Sequence, residues 1–375
     1  MQRGLGFATK ITNNTAKTKN VITVTALVIT ATTSLLLLMP GGVVRVGADN
    51  FFGTSGPDII VGTENDDKIF GRGGNDNLNG KGGDDYIEGN AGNDEINDGL
   101  GSDKIRAGTG YDEIVLEGVG SEEETGIEHI DEVHGGRGND NINAATSSER
   151  TVLLIYGEAN DDTITTGHET NGRVYGGSGD DTIQAQGDSN YDVWGGPGND
   201  EIRGSSECSL DNVFGGSGND RIISPDDFTK GGSGNDIITF ADCGGIAYGD
   251  GGDDEIRGGD VGVELHGGSG DDELEGGDGE NELFGDSGDD TLTGMEGEAD
   301  SFDCGPGTDT ITDFNAAEGD TKTTDCENVT EQEEEKEASE SAGNNSTNNN
   351  GNNNATRTDD TTIISPLLTR VIMIH

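Results

Sequence analysis

A nine-residue register constrains this chain more than any other feature. Cut from Gly53, the sequence reads GTSGPDIIV, GTENDDKIF, GRGGNDNLN, GKGGDDYIE, GNAGNDEIN, DGLGSDKIR and AGTGYDEIV. Position six is aspartate in all seven: Asp58, Asp67, Asp76, Asp85, Asp94, Asp103 and Asp112. Position eight is Ile or Leu in all seven, and position four is glycine except where Asn65 stands. The unit returns at Gly135, Gly157, Gly176, Gly195, Gly215, Gly231, Gly249 and Gly267, as in GGSGNDRII and GDGGDDEIR. These copies put Asp140, Asp162, Asp181, Asp200, Asp220, Asp236, Asp254 and Asp272 at the same place. From Gly157 to Gly267 they recur at close to twice nine residues, and an apolar or aromatic residue precedes the next glycine pair. Consecutive units resume with GGDGENELF, GDSGDDTLT and CGPGTDTIT, which add Asp290 and Asp309.

Composition excludes one large core. Only 29% of the 375 residues are hydrophobic and 5% aromatic, whereas glycine contributes 66. A chain of that kind is either disordered or built from repeats that each bury one or two side chains. With 75 acidic against 21 basic residues, the net charge is −54. Nucleic acid and anionic lipid are thereby excluded as partners, since both are polyanions. A folded state of this charge calls for many bound cations.

Repeated so often, the pattern G-G-x-G-x-D-x-U-x resembles the RTX, or haemolysin-type calcium-binding repeat, family over about residues 53–312. The resemblance implies an all-β fold: a parallel β-roll, or β-helix-like solenoid, of about 18-residue coils with calcium-binding turns. Its chemistry agrees with the residues. Glycine admits the positive φ of a tight turn. Calcium takes six to eight oxygens and accepts backbone carbonyls. One turn offers a few carbonyls and one carboxylate, and the next coil supplies the rest. The family places the ion between turns of adjacent coils, so the seventeen aspartates named above are the candidate ligands of multiple Ca2+ ions. About 14 coils at ~4.8 Å would give a stack of about 65–70 Å, with an aliphatic interior and no room for a substrate pocket. Residues 53–115 should carry such turns on both edges, and residues 157–266 mainly on one.

The remaining segments frame this solenoid. Residues 1–48 read as a signal peptide, with Arg3, Lys10, Lys17 and Lys19 before an apolar run from Val21 to Met39 and small residues at Val46–Ala48. Left uncleaved, the same run is long enough to anchor the chain in a membrane. Residues 49–330 are the repeat region, and 331–375 an acidic, then Asn-rich, disordered tail. Sequons at Asn328, Asn344, Asn345 and Asn354 are open to glycosylation. Gly120–Val133 reads as an acidic insertion forming one degenerate coil. Cys304 and Cys326 flank the last repeat, where a bridge would close the stack. Cys208 and Cys243 lie two coils apart, about 10 Å, so their pairing needs the intervening loops to bend.

Two functional readings follow. The first is a secreted, extracellular or cell-surface calcium-binding protein, structural or adhesive, that folds on binding Ca2+ and has surface glycans or matrix as further partners. The alternative is a carbohydrate-binding or non-catalytic accessory module of a secreted hydrolase or toxin-like system. It would use the residues before the glycine pairs: Tyr156, Tyr175, Trp194, Phe214, Tyr248 and His266, with Lys230 interrupting. No enzyme is expected. The five histidines form no H-E-x-x-H, there is no G-x-S-x-G elbow, and the repeat itself explains where the carboxylates fall.

Overall fold

A computed structural model describes residues 49–117, 129–146, 151–167, 171–185, 190–204, 210–223, 228–240, 244–295 and 298–331. The expected export segment, the tail from residue 332, Cys208 and Cys243 lie outside the described residues.

Among the described residues there are thirty strands and no helix. Numbered in chain order, they run from β1 (Asn50–Phe52) and β2 (Ile59–Val61) to β29 (Thr321–Lys322) and β30 (Asn328–Glu331). Odd strands form one fifteen-stranded sheet and even strands another. Each strand pairs in parallel with the strand two places later. A coil is therefore an odd strand, a turn, an even strand and a second turn. This is the parallel β-solenoid that the register predicts, and fifteen layers at ~4.8 Å extend about 67 Å.

Strand length follows from the nonapeptide. Three residues such as Glu201–Arg203 fit between turns, and the middle one points inward. Ile69, Leu78, Ile87, Ile96, Ile105 and Ile114, all at position eight, are at most 1% exposed. Where the odd edge lacks the motif, the inward residue is instead two before the glycine pair: Val174, Val193, Val213 and Ala247, all buried. The residue immediately before the pair faces outward.

Those outward residues stack along one sheet. Tyr156, Tyr175, Trp194 and Phe214 follow one another with ring centroids 4.9, 4.5 and 5.6 Å apart and planes within 8° of parallel. His134 extends the column at one end. At the other, His266 stacks on Tyr248 and Phe284 on His266, both at 4.4 Å. Phe228 bridges the interruption, tilted between Phe214 and Tyr248. Lys230 lies with its Nζ 4.8 Å from the centre of the Tyr248 ring.

The acidic insertion corrects one expectation, because it adds no coil. β9 (His129–Arg137) pairs directly with β7 (Lys104–Thr109) and with β11 (Thr151–Ala159). No layer intervenes between β7 and β9, and the described end of the segment returns Asp131 and Val133 to the interior. At the far end Cys304 and Cys326 form a disulfide with a Cα–Cα distance of 5.3 Å, tying the turn after β27 (Ser301–Asp303) to the last layer.

Close stacking makes some glycines irreplaceable. Gly198 has φ +149°, and a β-carbon there would stand 1.8 Å from the Gly179 carbonyl oxygen. Gly56 has open space within 4 Å. Gly198→Ala should destabilise the calcium-loaded protein by about 2 kcal/mol or more, and Gly56→Ala by less than about 0.5 kcal/mol. Urea midpoints followed by far-UV circular dichroism in excess calcium compare the two.

Candidate metal centres

The six residues before a strand form each turn. From the third copy on, positions two and four take left-handed φ in most turns, as at Gly177 (+121°) and Gly179 (+136°). Side chains occur at position two all the same. Arg72, Lys81, Asn90, Glu158, Asp250 and Asp286 hold φ between 65° and 81°. Position one, usually glycine, is limited by space. A β-carbon on Gly249 would stand 2.2 Å from Asp254 Oδ2 and 2.4 Å from the Gly267 carbonyl oxygen of the next coil. At Gly195 the same distances, to Asp200 Oδ2 and the Gly215 oxygen, are 2.3 and 2.6 Å. A carboxylate oxygen and a carbonyl oxygen thus converge, coil after coil, on one bare Cα.

The aspartates fall into two columns. On the edge before the even strands the column is continuous: Asp58, Asp76, Asp94, Asp112, Asp140, Asp162, Asp181, Asp200, Asp220, Asp236, Asp254, Asp272, Asp290 and Asp309. Each backbone N–H donates to Oδ1 of the next member, as Asp58 does to Asp76 at 2.8 Å and Asp290 to Asp309 at 2.9 Å. Asp309 donates to Glu327 Oε2 at 3.0 Å. On the other edge the chain of bonds runs from Asp49 through Asp67, Asp85 and Asp103 to Asp131. There it stops. Leu153 pairs with Asp131, and Leu153, Tyr191, Leu210 and Val263 fill the interior at this level. The column resumes as Asn281, Asp300 and Asp320. The two-edged beginning and one-edged middle are therefore as the spacing predicts.

With Oδ1 taken by the backbone, Oδ2 decides the chemistry. In Asp76, Asp85, Asp94, Asp103, Asp112, Asp140, Asp162, Asp181, Asp200, Asp220, Asp236, Asp254, Asp272, Asp290 and Asp309 it is buried and accepts no hydrogen bond. Asp58 and Asp67 differ. Thr54 and Thr63, at position two, each donate both N–H and Oγ1–H to the Oδ2 of their own copy. Those two turns are closed by the protein itself.

One copy shows what belongs beside the free oxygen. In GGDGENELF, Asn281 takes position six, and its Nδ2 donates to the carbonyls of Gly277 (3.1 Å), Gly279 (2.7 Å) and Gly294 (3.1 Å). Carbonyls at positions two and four, with one from the next coil, therefore converge on the position-six side chain. With aspartate there, the same spot is surrounded by acceptors alone. A cation would satisfy it, and oxygens from carboxylate and carbonyl are the donors Ca2+ prefers.

Several column members lie outside the copies named above. Asp49, Asp131 and Asp300 each stand nine residues before a named aspartate (Asp58, Asp140 and Asp309) and Glu327 eighteen after Asp309, so the spacing is the signal that finds them; Asp320 is out of step, and strand pairing places it. Position five carries a second ladder. Asp161, Asp180 and Asn199 each accept the N–H of position five in the next coil, the last from Asn219. The recurrence of Asn or Asp before the invariant aspartate is the sequence signal for it.

The sequence matches the family of the RTX calcium-binding nonapeptide repeat over residues 52–87, 79–114, 125–146, 166–191, 192–206, 210–224 and 265–298. No curated protein matches it.

Burial without a counter-charge raises the pKa of the column carboxyls. Desolvation lifts Asp140, Asp181 and Asp254 to about 6, Asp112, Asp200 and Asp236 to about 7, and Asp103 and Asp162 to about 8. Each folded value exceeds the ordinary 3.8, so protonation stabilises the metal-free fold. That stability is complete below about pH 4 and is lost as pH rises through 6 to 8. Calcium-free protein should therefore keep β structure in mild acid and lose it by pH 8. Bound calcium should abolish the pH dependence above pH 6, and it displaces protons as it binds. Far-UV circular dichroism from pH 4 to 8, with and without calcium, measures both limbs.

Proposed function

Because the chain belongs to the RTX calcium-binding nonapeptide-repeat family, we propose that its column aspartates hold Ca2+ between successive coils, and that ion binding and folding are one event. The unpartnered Oδ2, repeated from Asp76 to Asp309, carries this reading. It leaves the calcium-free fold with a row of buried oxygens facing other oxygens. A ligand that binds only the folded state stabilises it by mass action. The protein acts as a secreted or cell-surface element, structural or adhesive and not catalytic. The Cys304–Cys326 bridge supports an oxidising compartment, and weak extracellular sites suit Kd values of about 10⁻⁴–10⁻³ M. Asp58 and Asp67, closed by threonines, hold ions less well than the other fifteen.

The carbohydrate-binding alternative draws less support. A sugar stacks on the free face of a ring. From His134 to Phe214 the ring faces lie against one another, which leaves edges outward. An aromatic column of this kind stiffens one sheet.

Calcium titration of the purified chain at pH 8, followed by far-UV circular dichroism and small-angle scattering, should show a steep passage from expanded to compact. A chain equally compact and ordered in excess EDTA would overturn the proposal. Asp236→Asn gives a finer test, since Asn281 shows how an amide satisfies the turn. This variant should stabilise the calcium-free form at pH 8 by about 1–3 kcal/mol while lowering the stabilisation that calcium adds.

A further inference from the structure

We infer that Asp98, a departure from the repeat, joins the column members Asp103 and Asp131 in a cation centre that holds one calcium ion more tightly than the other turns do. It deepens the calcium reading of the repeats without requiring that the other copies bind.

Asp98 stands at position one of DGLGSDKIR, where most copies have glycine. Its side chain therefore enters the space that elsewhere belongs to the position-six carboxylate alone. Asp98 is completely buried, and Asp103 and Asp131 are 2% and 1% exposed. One carboxylate oxygen from each lies within 4.8 Å of the other two. The backbone fixes all three side chains from one side. Asp98 Oδ1 accepts the N–H of Gly99 (2.6 Å) and of Glu117 (2.7 Å). Asp103 Oδ1 accepts the N–H of Asp85, and Asp131 Oδ1 that of Asp103. The three Oδ2 atoms are buried and accept nothing.

No protein cation compensates them among the described residues. Lys104 and Glu132, the next residues along their strands, alternate to the outer face and pair with each other. Asp131 is also the last acid of its column before Leu153 takes over, so no further coil shares its charge. An ordinary turn gathers one carboxylate from each of two coils. This place gathers a third, on rigid backbone, in the interior. Charge count and rigidity are what raise calcium affinity.

Native mass spectrometry of the purified full chain, with free calcium stepped from millimolar to sub-micromolar, tests the inference. Wild type should retain one ion after the others have left. Asp98→Gly restores the glycine of the repeat, and Asp98→Asn keeps the shape without the charge. Both should release that ion at about tenfold higher free calcium or more, with the weaker ions unchanged. Equal retention by wild type and both variants would overturn the inference. So would a wild type with no tight ion, which would mean that the three carboxyls hold protons only. A wild type that binds this one ion and none elsewhere would uphold the centre and sink the reading of the repeats.

Discussion

The contact between a buried carboxylate oxygen and a ring of backbone carbonyls governs this fold. Aspartate at position six is the residue that joins one coil to the next, through Oδ1 and the N–H of the preceding aspartate. The same side chain sends its other oxygen among acceptors. Joining and repulsion therefore come from one residue, and an amide separates them: Asn281 still accepts an N–H of the preceding coil through Oδ1 while its Nδ2 satisfies the carbonyls. A divalent cation between the coils would turn the repulsion into a further bond between layers.

The turn is shaped around that contact. Positive φ at positions two and four folds the backbone so that carbonyls point inward, and the bare Cα at position one leaves room for Oδ2. The protein also shows three ways to do without a metal. Threonine hydroxyls close the first two copies. An amide replaces the acid at Asn281. On the middle of one edge, Leu153, Tyr191 and Leu210 replace the acid with apolar bulk. Turns with an open carboxylate oxygen and turns closed without one thus coexist within one architecture. The aromatic column lies on the sheet beside the edge that lost its acids, and lends that side stiffness by stacking.

Much of this is legible in the sequence because the register is the structure. Asp76 and Leu78 sit two residues apart in the chain, and the fold puts one at the turn and the other in the core. What stays hidden depends on strand pairing. Asp131 keeps the spacing, nine residues before Asp140, but its copy GIEHIDEVH has lost the glycines of positions two and four, and its pairing partners show that it continues the column from Asp103. The insertion reads as a coil because composition cannot tell a longer turn from an added layer. Asp98 looks like a lapse in the repeat, since a departure at position one gains meaning only when the neighbouring carboxylates are placed beside it. Thr54 and Thr63 replace the second glycine of the motif, a departure visible in the sequence, but only the structure shows their N–H and hydroxyl turned onto Oδ2.

The aspartate ladder has a direction. Every N–H in it reaches toward the layer that comes later in the chain, from Asp58 to Asp76 and onward to Glu327. In this ladder each aspartate N–H is satisfied by its successor, whereas the position-five ladder runs the other way. A polypeptide threaded through a narrow passage with its amino end leading would always carry one incomplete rung at the exit. The assembled part would advance by one rung for each new length of chain delivered, and a rung already finished would resist being drawn back.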